Sequence, residues 1–130
     1  MSTSILVDSN FYIDRARQGL DPFADLAQAN PDWEITTCGM VMVEVLRGVR
    51  HPRALERFAT AFSVMVCVPS TGTVWERAWR LAWEMDRAGK VIPGQDLVIA
   101  AHALYAGAAV LSADHHFRQI PGLEVLNRLD

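Results

Sequence analysis

The chain has 130 residues, 51% of them hydrophobic and 21% charged, which excludes a disordered or fibrous protein and is long enough to bury a core without disulfides. Its 12 basic and 15 acidic residues leave a net charge of −3, which excludes binding of polyanions by bulk positive charge alone. Cys38 and Cys67 match neither a C-x-x-C pair nor a zinc pattern and are too few for a disulfide framework, so a reducing, cytoplasmic compartment is expected.

In chain order, MSTSILVDSN has no basic region and only three successive apolar residues, which is not the layout of a signal peptide. Ile5 to Asp8 reads as a short buried strand ending in a carboxylate, with Ser9-Asn10 as helix caps and a helix to about Arg17, before Gly19. A short helix follows over Pro22 to Gln28, then a strand over Trp33 to Thr37 and a helix from Met40 to Arg47 closed by Gly48. Pro52 begins a helix to Phe62, and the β-branched run Val64 to Val68 reads as a buried strand closed by Pro69. Thr71 or Thr73 caps a long helix to about Arg87, whose Trp75, Trp79 and Trp83 recur at helical spacing and are assigned to the core or to a subunit contact. Gln95 or Asp96 opens an apolar helix to Tyr105, stopped by Gly107. The weakly polar stretch Leu97 to Leu111 is 15 residues long, short of the ~20 that a membrane span requires, so no membrane partner is expected. Ala109 to Leu111 is a fourth strand, a helical turn lies around His115 to Arg118, and Leu123 to Leu126 is the fifth strand.

Strands separated by helices require crossovers, so the expected fold is a single α/β domain over residues 1–130, with a mainly parallel, five-stranded sheet covered on both faces. Such sheets bind ligands outside the carboxyl ends of their strands, where the strand order reverses. Asp8 ends the first strand and Asp114 follows the fourth by three residues, so both belong at that edge. Glu44 is the only acid in the apolar helix segment MVMVEVLRG, and Asp96 stands in the first turn of DLVIAAHAL, where the helix dipole favours its charge. Singly, each has an ordinary use: Asp8 as a helix cap, Asp96 as a dipole partner, Asp114 as a turn acid, Glu44 as half of a buried ion pair. Together they would repel one another and call for a cation. Oxygen donors of this kind suit Mg²⁺ or Mn²⁺, as one or two ions, better than zinc. With the four acids set against metal, 12 basic residues face 11 acidic ones, and 11 of the 12 are arginines, whose planar fork suits phosphate.

The series ILVDSNFYID, VMVEVLRG, PGQDLVIAAHAL and LSADHHFRQIPGLEVL closely resembles the PIN-domain ribonucleases, in particular the VapC toxins of bacterial toxin-antitoxin pairs, over essentially the whole chain. The resemblance implies a PIN-like three-layer α/β/α fold, Mg²⁺- or Mn²⁺-dependent endoribonuclease activity on RNA, frequent homodimerisation, and inhibition by a VapB-type antitoxin whose tail enters the acidic site. Carried over singly, Asp8, Glu44, Asp96 and Asp114 match the four catalytic and metal-binding acids, while Asn10 and Ser112 match polar residues that orient them. His116 is a departure, since many similar proteins carry a further acid there. The implied chemistry is attack on the scissile phosphorus by a metal-activated water, deprotonated with help from Asp96 or Asp114. Arg47 and Arg118 are the candidates for phosphate contacts. His115 and His116 offer a proton donor or a ligand but read first as exposed turn residues, His102 as structural, and Asp14, Asp21, Asp25, Asp32 and Asp86 as caps and solvated surface. Two rival readings are a phosphatase-like enzyme with a strand-one aspartate as nucleophile, for which neither DSN nor LSAD supplies the usual D-x-D or lysine, and a non-catalytic RNA- or protein-binding module on the same fold.

Overall fold

Each strand is separated from the next by at least one helical segment, and every strand pairing is parallel. The computed structural model describes residues 3–129. The elements run β1 (Thr3–Val7), α1 (Ser9–Arg17), α2 (Pro22–Ala27), β2 (Trp33–Cys38), α3 (Gly39–Arg47), α4 (Pro52–Ser63), β3 (Val66–Val68), α5 (Gly72–Arg87), α6 (Gly94–Ala106), β4 (Ala109–Leu111), a 3-10 helix (His115–Gln119) and β5 (Val125–Leu126). The sheet order is β3-β2-β1-β4-β5. The chain therefore steps outward from β1 to β2 and β3, then returns across the sheet to β4 and β5. That reversal puts a crevice at the carboxyl ends of β1 and β4. Val7 pairs with Leu111, and the Asp8 amide donates to the Leu111 carbonyl at 3.0 Å, so Asp8 and Ser112 leave the two central strands side by side.

Ile5, Leu6, Val7 and Val110 are fully buried, as central parallel strands covered on both faces must be. The layers are helix, sheet, helix, as expected. α6 is the innermost helix, with Leu97, Ile99, Ala100, Ala101, His102 and Ala103 buried. His102 is structural: Nδ1 lies 2.7 Å from the Val98 carbonyl and Nε2 lies 2.7 Å from the Ser70 hydroxyl, tying α6 to the segment after β3. Tyr12, Phe23, Phe58 and Phe62 join α1, α2 and α4 in an aromatic cluster with ring centroids 5.1–5.4 Å apart. Gly107 ends α6 at φ 65°, a left-handed conformation that favours glycine.

Several expectations are corrected. Ser9 and Asn10 are the first residues of α1 rather than its caps; Asp8 holds the cap position in extended conformation, yet its carboxylate makes no capping bond. The strand expected over Val64 to Val68 starts at Val66, because α4 continues to Ser63. It is an edge strand rather than a buried one: only Val68 is buried, while Val64, Val66 and Cys67 are exposed. β-branched residues suit an edge strand as well as a central one, so composition alone did not separate the two. The fifth strand, at the opposite edge, contracts to Val125–Leu126. Trp75, Trp79 and Trp83 do not enter the core and are 48%, 56% and 58% exposed. α5 instead buries Val74, Ala78, Leu81 and Met85, and Val74 and Ala78 pack with Ala101 of α6. Small residues allow the two helices to approach closely, which leaves the indoles outside.

Phe117 is fully buried within the 3-10 helix that follows Asp114. Phe117→Ala is expected to cost ~3–5 kcal/mol, the usual range for truncating a buried aromatic. A urea unfolding midpoint equal to that of the parent protein would contradict this anchoring role.

Candidate functional site

Of the four expected acids, Asp96 and Asp114 come within ligand distance of one another, together with His116, whereas Asp8 and Glu44 lie outside that group and are joined to it by a hydrogen-bonded chain and by charge. Asp8 is 1% exposed. The Ser112 hydroxyl donates to Asp8 Oδ2 at 2.8 Å, and the Ser9 hydroxyl lies 3.3 Å from Asp8 Oδ1 and 3.2 Å from Glu44 Oε1. The Asp114 amide in turn donates to the Ser112 hydroxyl at 3.0 Å. His116 Nδ1 stands 3.1 Å from Asp96 Oδ2 and 3.1 Å from Asp114 Oδ1. The order is therefore Glu44, Ser9, Asp8, Ser112, Asp114, His116, Asp96, joining residues from α3, the start of α1, the end of β4 and the start of α6.

Each group is placed by its element. Asp8 and Ser112 follow paired strands, Glu44 lies on α3, and Asp96 lies in the first turn of α6. Asp114 Oδ1 accepts from the His116 amide at 2.9 Å, so this acid does cap a helical turn while facing the crevice.

The electrostatics follow from this crowding. Burial pushes the Asp8 carboxyl up to about 6, against the hydrogen bond from Ser112 and with the charge of Asp96 behind it. Burial likewise raises Glu44, opposed by the Ser9 hydrogen bond, with the charge of Asp96 adding to it and that of Arg47 working against it. Asp96 is raised by burial, partly offset by its hydrogen bond from His116, with the Asp114 charge adding to the rise. The ion pairs among the described residues join no arginine or lysine to any of the four acids. A divalent cation fits such a donor set, because it would supply the positive charge that the protein itself withholds. The neighbouring Cys38 thiol is pushed up to about 11 by burial, so it is no thiolate at neutral pH.

Two clefts flank the acids. One, of 380 Å³, is lined by Asn10, Asp14, Arg15, Asp114, Asn127 and Arg128 among others. The other, a groove of 860 Å³ between α1, α2, α3 and α4, contains Glu44, Arg17, Arg50, His51 and Arg57. Arg47 acts on Glu44 through charge but lies outside both clefts, and Arg118 is exposed on the 3-10 helix, also outside them. Asn10 is exposed in the first cleft, and the hydroxyl that reaches Asp8 from that helix turn is Ser9. Sequence reasoning assigned Ser9 to a helix cap and His116 first to an exposed turn, and the structure brings both into this hydrogen-bonded chain. The signals available were the adjacency of Ser9 to a strand-end acid and the two-residue spacing from Asp114 to His116.

The sequence profile described as the PIN domain matches residues 5–123. No curated protein sequence matches the chain significantly. Among solved structures, the chain is similar to VapBC2 from Rickettsia felis bound to a DNA fragment from its promoter, at 18% identity and TM-score 0.78 over 95% of this chain and 97% of that one. DNA-bound VapBC from Salmonella typhimurium is similar at 18% identity and TM-score 0.78, over 96% and 97%. A Mycobacterium tuberculosis VapC described as a sarcin-ricin-loop-cleaving toxin is similar at 23% identity and TM-score 0.66, over 94% and 98%.

The raised carboxyl of Asp8 makes the metal-free protein lose stability as pH rises. The folded form holds this proton more tightly than the unfolded chain, so in chelator the stability present below 3.8 falls away as pH passes through about 6. Glu44 and Asp96 act in the same direction. Asp8→Asn is expected to stabilise the chelated protein at pH 7 by on the order of 3 kcal/mol at most, and to flatten this limb of the profile. Parallel pH profiles of unfolding for parent and variant would refute it.

Proposed function

Since the chain belongs to the PIN-domain family, we propose that it is a Mg²⁺- or Mn²⁺-dependent endoribonuclease, the toxin of a VapBC-type pair, that hydrolyses RNA phosphodiester bonds. The observation that carries this reading is the hydrogen-bonded chain through Glu44, Asp8, Asp114 and Asp96 at the switch point of the sheet, with no arginine or lysine ion-paired to any of the four among the described residues.

Asp8, Asp96 and Asp114 would hold one or two ions, with Glu44 completing the set through the hydroxyl it shares with Asp8. When bound, divalent metal supplies positive charge at the scissile phosphate and lowers the pKa of water there. Asp96 or Asp114 accepts the proton of the attacking water, and no protein nucleophile is required. Ser112 and Ser9 fix Asp8 so that its oxygens need not reorganise during the reaction. Arg128 in one cleft and Arg17, Arg50 and Arg57 in the other would hold neighbouring phosphates, while Arg15 is already paired with Asp25 at 2.9 Å, and Arg47 and Arg118 would act from outside the clefts.

The partner in this reading is a VapB-type antitoxin. Solved complexes with the same fold support it, as does the 860 Å³ groove that is lined by residues of α1, α2 and α4 and by Glu44. Homodimerisation belongs to the same proposal, and the three exposed indoles of α5 provide an apolar surface for it. Among the described residues no helix is long and apolar enough to cross a membrane, and action in the cytoplasm is part of the proposal.

The deciding measurement is cleavage of end-labelled RNA by the purified protein with Mg²⁺, with Mn²⁺ and with chelator. Chelator, Asp8→Asn and Asp114→Asn are each expected to slow cleavage by ~100-fold or more, in line with the several kcal/mol that metal charge contributes to a phosphoryl transition state. Full activity in chelator would defeat the metal reading. Complete inactivity of the parent protein toward every RNA, with metal bound, would leave a binding module instead.

A further inference from the structure

Resting on the metal reading above, we propose that the His116 imidazole is itself a ligand of the bound ion and turns the preference of this centre from Mg²⁺ toward Mn²⁺ and the later first-row metals. Asp96, Asp114 and His116 are, among the described residues, the only group whose three potential ligand atoms all lie within 4.8 Å of one another. His116 Nδ1 is 3.1 Å from Asp96 Oδ2 and 3.1 Å from Asp114 Oδ1. Donors bound cis around an octahedral ion at about 2.1 Å lie about 3 Å apart. Each carboxylate oxygen thus stands from the nitrogen at the separation of adjacent ligands, and an ion entering between them would replace the hydrogen bond that His116 and Asp96 share in the metal-free protein.

The ring is held there by its backbone. The His116 amide donates to Asp114 Oδ1 at 2.9 Å, and the next residue, Phe117, is fully buried, so the turn that bears the imidazole is fixed at both ends. The His116 side chain is 30% exposed, which leaves room for solvent or substrate beside it.

The chemical consequence follows from donor type. An acid at this position would add a hard anionic oxygen, whereas imidazole adds a neutral nitrogen. Mg²⁺ prefers oxygen and gives up its waters reluctantly. Imidazole binds manganese, iron, cobalt and zinc with affinities that rise along that series, so exchanging oxygen for nitrogen favours those ions over Mg²⁺.

Electron spin echo envelope modulation of the Mn²⁺-loaded protein tests the assignment directly. The expected spectrum contains the nitrogen-14 modulation of a directly coordinated imidazole, and His116→Gln abolishes it. Calorimetric titration with Mg²⁺ and with Mn²⁺ gives a second reading, in which His116→Asp lowers the ratio of Mn²⁺ to Mg²⁺ affinity about tenfold. Bound Mn²⁺ without nitrogen modulation, or an unchanged ratio in His116→Asp, overturns the assignment while leaving the carboxylate metal site intact. Failure of the parent protein to take up either ion overturns both. The spectrum of the parent protein decides the matter even where a variant does not fold.

Discussion

A carboxylate buried at the carboxyl end of the central strand is the constraint on which this structure turns. Asp8 follows β1 at once, and α1 begins at the next residue, so the side chain has no loop in which to reach water. Its two hydroxyl partners, Ser112 and Ser9, lower the cost of burial without removing it, and its carboxyl still sits at about 6. A single buried acid could be left protonated. Four held near one another raise each other's cost of ionisation, and it is this cost that a cation would offset under the proposed function.

The surrounding fold holds these charges together against their repulsion. β1 and β4 are level with one another, which sets Asp8 beside Ser112. Ala100, Ala101 and Ala103 make α6 a slender, deeply buried helix, and its amino end brings Asp96 over the strand ends. The partial positive charge of that helix end works in favour of the carboxylate. Phe117 anchors the turn behind Asp114 from below. Apolar packing on rigid elements therefore sustains an arrangement that is unfavourable electrostatically, the usual relation between a scaffold and a binding site.

The four acids were legible in the sequence because each stands where its neighbours call for burial: after ILV, inside VMVEVL, before LVIAA and after VLSA. Ser112 was legible for the same reason, as a small polar residue at a strand end. Ser9 and His116 were not, since a serine at a helix start and a histidine after a turn have commoner uses. Asp8 resembled a helix cap in sequence, yet its carboxylate is turned to the crevice. Arg47 and Arg118 were chosen by closeness in sequence to Glu44 and Asp114, and the arginines that line the clefts come from other segments of the chain, which closeness in sequence does not reveal.

By itself the sequence determined the alternation of strands and helices, the parallel sheet, most helix ends and the position of Asp8 and Asp114 at the carboxyl ends of strands. These depend on hydrophobic period, on capping residues such as Thr71, and on a glycine such as Gly107, signals contained within a few neighbouring positions. Only the tertiary structure decided that β3 is an edge strand, that α5 turns its tryptophans outward against small residues of α6, and that Ser112 meets Asp8 across 104 residues of chain. The physical reason is that strand order and helix facing are set by which surfaces pack together across the whole chain. The hydrogen-bonded path from Glu44 to Asp96 exists only once that packing is complete.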